Sequence, residues 1–139
     1  LAEQPELAPG AVEEVMRYFG AVRGTARFAS EDIVYRDVSF PAGTVVMTSM
    51  GTANRDSSVF DDPGTFDIRR TPSGQPHLTF GSGIHYCLGA ALARAELQEA
   101  LPILARRMPD LAVDGEIEWK PSTTAIFGPA RLPVTFTPS

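Results

Sequence analysis

The sequence predicts an α+β segment: two main helices, small antiparallel sheets and a long irregular loop. Three observations predict it. Apolar residues recur at helical spacing over residues 5–19 and 88–107. Short, partly β-branched runs bounded by turn residues fill residues 23–50. Residues 51–86 hold few periodic features and many breakers, and so long an irregular stretch in a compact domain is usually functional.

The first helix is expected over residues 5–19, cleanest over Ala11–Phe19. Val12, Val15, Met16 and Phe19 share one stripe, and Glu13, Glu14 and Arg17 fill the other face. Gly20 is its expected stop. The runs Ala26–Ala29, Ile33–Tyr35 and Thr44–Met47 predict one small antiparallel sheet, turned at Phe40-Pro41-Ala42-Gly43. Asp61-Asp62-Pro63-Gly64 and Thr71-Pro72-Ser73-Gly74 mark turns within the irregular stretch. The second helix, 88–107, carries Leu88, Ala91, Leu92, Ala95, Leu101 and Leu104 as its apolar stripe, with Arg94, Glu96, Gln98 and Glu99 elsewhere. Its alanines favour helix, and Pro102 is expected to kink it. Strand-like pieces follow at Ile117–Trp119, Ala125–Phe127 and Leu132–Phe136.

The bulk chemistry excludes several classes. The chain is 139 residues long, 43% hydrophobic and 21% charged, which suits a soluble globular core and argues against disorder. A net charge of −5 offers no electrostatic footprint for nucleic acid. The longest uncharged run, Thr71–Ala93, carries Pro, Gly, Ser and both histidines, so it is no lipid-spanning helix. No signal peptide is visible. One cysteine forbids an internal disulfide and points to a reducing, cytoplasmic setting. The chain starts at Leu1 rather than Met, so its natural beginning is expected to be missing or processed.

The cysteine carries the chemistry. It ends the string Phe80-Gly81-Ser82-Gly83-Ile84-His85-Tyr86-Cys87-Leu88-Gly89, a glycine-rich loop that runs into the long helix. Without this context a lone cysteine is usually a small buried hydrophobe. At a helix N-terminus, unpaired N–H groups and the helix dipole favour a thiolate. Gly81, Gly83 and Gly89 remove side chains, so something flat and large can approach the backbone. One cysteine and two histidines fall short of a closed zinc site. A nucleophilic cysteine, with His85 or His77 as base, is the rival chemistry.

This string resembles the haem-thiolate signature of the cytochrome P450 family. The resemblance implies that Cys87 is the proximal iron ligand of haem b and that Phe80 shields its sulfur. It also implies that Gly81 and Gly83 shape the loop, that Gly89 opens the helix, and that His85 contacts a haem propionate. Glu14-Val15-Met16-Arg17 is similar to the family's Glu-x-x-Arg motif, whose ion pair is completed by an arginine from the later irregular segment. Arg70 is favoured for that role, with Arg69 as the alternative. Arg27, ten residues after Arg17, matches a propionate-binding arginine. Ala53-Asn54-Arg55-Asp56, Phe60 and Pro63 also follow the family pattern. So do Leu88–Glu96, the helix behind the haem, and Arg131-Leu132-Pro133-Val134, the closing strand.

Two segments resemble substrate-lining regions: Ala21–Thr25, with Ala21 and Val22, and Ala125–Gly128, with Ile126 and Phe127. The resemblance covers about Ala11 to Phe136 and implies the last third of one mainly-α domain of bacterial soluble type, without a membrane anchor. The implied parent is a haem-dependent monooxygenase that inserts one oxygen atom from dioxygen into a small organic substrate. Its electrons come from a ferredoxin-type donor. The upstream portion of the fold, or self-association, is expected to cover the apolar faces. No catalytic residue beyond the haem ligand is expected here, and the isolated segment is expected to be inactive. The alternative is a non-catalytic haem-binding or helper fragment that acts through a partner.

Overall fold

The computed structural model describes residues 1–71, 74–121 and 126–137. A short 3-10 turn, Pro5–Leu7, leads into α1, Ala8–Phe19. Pro9 sits in the first turn, where its missing N–H costs nothing. Gly20 ends the helix in an extended conformation. A Cβ at Gly20 would come within 2.4 Å of Thr79 Oγ1 and 2.6 Å of the Met16 carbonyl oxygen. The stop is therefore also a close approach that only glycine permits.

Where one sheet was expected, two separate ladders form. β1 (Gly24–Phe28) pairs antiparallel with β4 (Val45–Ser49), with Ala26 opposite Met47. β2 (Ile33–Tyr35) pairs with β3 (Val38–Phe40) as a hairpin inserted between them. The turn at 41–44 is closed by the Thr44 N–H donating to the Pro41 carbonyl, 3.0 Å, with Gly43 at φ 84°. α2, Met50–Ala53, is a single turn capped by the Ser49 side chain. From there to the 3-10 turn Gly83–His85 the described chain is turns and bends.

α3 runs from Ala90 to Arg107, with Gly89 as its N-cap, and begins two residues later than the apolar pattern suggests. Pro102 is buried inside it. The tail forms two small ladders. β5 (Ala112–Val113) pairs with β8 (Val134–Thr135), and β6 (Glu118–Trp119) pairs with β7 (Pro129–Arg131). Of the expected Ala125–Phe127 strand, Ala125 lies outside the described residues, and Ile126 and Phe127 are not in a strand. Pro72 and Ser73, in the expected turn at 71–74, also lie outside them.

The core is small. α1 packs on α3, and Ala8, Ala11, Val12, Phe60 and Ala90 are buried. Glu14 and Arg17 are buried as well, not on the solvent face that the helical pattern assigns to them. Conversely, the expected apolar stripe is uncovered: Leu88, just before α3, is fully exposed, and Leu92 within it is 63% exposed. Phe28, Val34 and Met47 are exposed on the ladders. The accessible surface is 9918 Å² for a 15.0 kDa chain, against about 7000 Å² for a compact monomer of that mass. Among the described residues no helix is long and apolar enough to cross a membrane.

So much uncovered apolar surface predicts association of the isolated chain. Sedimentation at micromolar concentrations should show concentration-dependent oligomers that bind a hydrophobic dye. A dye-silent monomer would contradict this.

Candidate functional site

The site is built from α1 outward. Glu14 and Arg17 lie three residues apart, on one helical face. Arg17 Nε and Nη2 each donate to the Glu14 carboxylate at 2.7 Å, as a two-pronged fork. The remaining Arg17 protons reach the carbonyls of Asn54 (2.9 Å), Pro63 (2.9 Å) and Thr65 (3.0 Å). All five guanidinium donors are thus used, which makes a buried arginine tolerable. Glu14 also accepts from Arg70 Nε at 3.1 Å and from the Asp67 amide at 2.9 Å. Arg70 in turn donates to the carbonyls of Asp61, Asp62 and Thr65. Its neighbour Arg69 points away, to Gln4. Burial works to raise the Glu14 pKa. The hydrogen bonds from Arg17, the Asp67 amide and Arg70 outweigh it and hold the carboxyl below its ordinary range.

Asn54 passes this order on. Its side-chain amide donates to Thr79 Oγ1 (2.9 Å), and its side-chain oxygen accepts from the Leu78 amide (2.7 Å). Thr79 Oγ1 donates to the Met16 carbonyl (2.6 Å). Residues 78 and 79, which open the cysteine loop, are therefore tied to Asn54 and, through Thr79, to α1. The loop closes on itself where the Cys87 amide donates to the Phe80 carbonyl, 2.8 Å. Gly81 (φ 75°) and Gly83 (φ 68°) sit in the left-handed region that the tight path requires. Gly89, at φ −82°, does not: a Cβ there would only touch Cys87 Sγ at 3.9 Å.

The second ion pair lies behind the loop. Arg94 of α3 donates to both carboxylate oxygens of Glu13, Nε at 2.6 Å and Nη2 at 3.1 Å. This lowers the Glu13 pKa, against burial, and raises that of Arg94. His77 is buried beside them. Its Nδ1 accepts from the Thr79 amide (3.2 Å), so the ring proton is on Nε2. Nε2 is 3.3 Å from Glu13 but too poorly aligned to count as a hydrogen bond. Burial lowers the His77 pKa, and the Glu13 charge only partly opposes that.

Between the cysteine loop and β1 opens a cavity of about 840 Å³. It brings together Arg27, Phe80, Gly81, His85 and Cys87, together with Ala21, Val22 and Ile126. Cys87 is a free, exposed thiol. Arg27 is exposed on β1, with Nη1 bonded to Thr25 Oγ1 (3.0 Å) and the Ala26 carbonyl (2.9 Å). Phe127 is not in the wall. It stacks on Trp119, with centroids 5.1 Å apart, and carries the Arg23 guanidinium 3.3 Å from its ring centroid. Its amide donates to the Ala21 carbonyl at 2.7 Å. Among the described residues no histidine hydrogen-bonds the Cys87 sulfur. Nor do three or more metal-ligating side chains gather anywhere among them.

The residues fit a flat, largely apolar group that carries carboxylates and a soft metal. A thiol stands at the foot of a wide cavity, glycines lie beside it, and the polar side chains Arg27 and His85 can take carboxylates. Helix, ladders and glycine loop follow one another in this order, and comparison supplies the family. The cytochrome P450 family model matches residues 4–108, and the chain belongs to that family.

It is 46% identical to the biotin biosynthesis cytochrome P450 of Bacillus subtilis over 98% of its own length and 34% of the relative's. It is 43% identical to the mycinamicin IV hydroxylase/epoxidase of Micromonospora griseorubida, over 98% and 35%. Among solved structures, P450BioI in complex with hexadec-9Z-enoic acid ligated acyl carrier protein superposes with a TM-score of 0.89 at 45% identity, over 99% of this chain and 35% of that one. The chain therefore spans about a third of the length of the proteins it matches.

Removing the Glu14 carboxylate should strand two arginines. Glu14→Ala should cost about 3–5 kcal/mol in denaturant unfolding of the protein, whereas Glu118→Ala, in an exposed pair with Arg131, should cost less than about 1 kcal/mol. Acid should also destabilise in two stages. His77 is stabilising while neutral, so stability falls as pH drops below about 6.5. Glu13 and Glu14 stabilise while charged, so a second loss follows below about pH 4.5. Thermal melts across pH check both stages, and His77→Gln should abolish the first.

Proposed function

We propose that this chain supplies the proximal side of the haem site in a haem-thiolate monooxygenase, as the C-terminal third of one domain. The observation that carries the reading is the exposed Cys87 thiol at the foot of a cavity whose wall also holds Arg27 and His85. Cys87 would bind the haem iron through sulfur. The loop amides and the N-terminus of α3 would favour the thiolate form. Phe80 would cover the sulfur from the side, and Gly81 would let the porphyrin plane come close to the backbone. Arg27 and His85 would hold the two propionates.

When bound, haem would supply the redox chemistry that splits dioxygen and places one oxygen atom in a small organic substrate. Ala21, Val22 and Ile126 would contribute apolar wall to that substrate's pocket. Residues that handle protons on the opposite side would come from the two thirds of the relatives' length that this chain does not span. Electrons would arrive from a ferredoxin-type donor on the cysteine side. The family name supports the cofactor and the reaction class. The residue roles are those the family resemblance implies, and the cavity that gathers Arg27, Phe80, Gly81, His85 and Cys87 supports them.

The test is spectroscopic. The holoprotein, reduced and exposed to carbon monoxide, should show the red-shifted Soret band of a thiolate-ligated haem. Cys87→Ser should abolish that band. Its survival in the variant would overturn the ligand assignment. Arg27→Met should leave the band position unchanged and weaken haem retention about tenfold or more, the loss of one charge-assisted pair.

A further inference from the structure

Arg94 makes contacts that an ordinary helix-surface arginine does not. Its guanidinium is fixed to α1 by the two bonds to Glu13. From that anchor it reaches both ends of the cysteine loop. Nη1 bonds the Tyr86 hydroxyl at 2.9 Å, and the guanidinium carbon stands 4.7 Å from the centre of the Phe80 ring. Phe80 and Tyr86 are themselves in edge contact, with centroids 6.5 Å apart. Phe80 is the residue whose carbonyl holds the Cys87 amide, and Tyr86 precedes Cys87 directly. Arg94 also shares a small cavity with Tyr86, Cys87 and Leu88 behind the loop.

We propose that Arg94 is a positioning residue for the cysteine ligand: anchored on Glu13, it clamps Phe80 and Tyr86 and so fixes where the Cys87 sulfur stands. This deepens the haem-thiolate reading and rests on it. The physical argument is mechanical. The loop between Phe80 and Cys87 is exposed, and its glycines give it little stiffness of its own. One hydrogen bond closes its base. A planar guanidinium with three simultaneous partners resists rotation in a way that a lysine ammonium does not. It links α1, α3 and both loop ends into one body. A ligand held to within a fraction of an ångström needs such support from the shell behind it.

The experiment uses the haem-loaded, full-length protein. Arg94→Met removes all three contacts at similar volume, and Arg94→Lys restores only the charge opposite Glu13. Total haem is measured by denaturing extraction, and ligation by the ferrous–carbon monoxide spectrum. The expected result for Arg94→Met is a several-fold rise in the fraction without the thiolate-type band, at unchanged haem per protein. Arg94→Lys should rescue little of it. Glu13→Gln should give the same direction of change, and adding it to Arg94→Met should give no further change, because both act through one clamp.

Should Arg94→Met fail to fold, Tyr86→Phe deletes one arm alone and should show a smaller shift of the same sign. Wild-type band ratios in the folded Arg94 variant, or in Tyr86→Phe when only that variant folds, overturn the positioning role. A wild-type protein that lacks the thiolate band altogether overturns the haem-thiolate reading, and the positioning role falls with it.

Discussion

The structure depends on one buried carboxylate. Glu14 accepts from Arg17 twice, from Arg70 and from the Asp67 amide. A charge taken out of water is costly unless its lone pairs are all met, and here they are. The consequence reaches well beyond the pair. The chain between α2 and the cysteine loop has almost no regular structure, so its carbonyls have no ladder or helix to satisfy them. Arg17 and Arg70 do that work instead, collecting five carbonyls between Asn54 and Thr65. Two planar guanidinium groups, locked to a single carboxylate, replace a sheet edge as the template for an irregular segment.

Neighbouring residues on α1 then serve two directions. Successive helical residues point about 100° apart, so Glu14 faces the irregular segment while Glu13 faces α3 and the cysteine loop. Asn54 joins the two sides: its backbone carbonyl accepts from Arg17, and its side-chain amide is bonded to Leu78 and Thr79. The cysteine loop is consequently held at its entrance by Asn54 and Thr79, and from behind by Arg94. Its glycine-containing tip stays exposed. The loop is bonded at the end where the sulfur is attached and exposed at its tip.

Much of this was legible in the sequence, for physical reasons that differ by element. The two long helices announced themselves by period, and the cysteine loop by glycines next to a helix start. Strands β3, β5 and β7 are two or three residues long, too short for alternation to register. One expected sheet became two ladders because a hairpin intervenes between β1 and β4, and pairing partners are not written in any single run. Spacing left Arg69 and Arg70 open, since only the turn at 67–70 decides which of two adjacent side chains faces Glu14. Arg94 read as a solvent-facing helix residue because a helical pattern reports a face and not what lies across from it. Asn54 fell within a recognised string but carried no role until its buried partners were seen.

The exposed apolar residues at the start of α3 and just before it sharpen that last point. Periodicity marks Leu88 and Leu92 as residues that seek cover, yet both stand in solvent. Amphipathicity is a statement about the demand for a partner surface. The supply is a separate matter, and among the described residues it is greatest where α1 packs on α3, with Ala8, Ala11, Val12 and Ala90 buried. The polar contacts are distributed in the opposite way. The ion pairs and the amide network around the cysteine loop join described residues of this chain to one another. Fixing the sulfur and closing the cavity are therefore separable problems. The first calls on charge and hydrogen bonding, and those contacts lie inside these residues. The second is a matter of apolar area, which any surface completing the fold must provide.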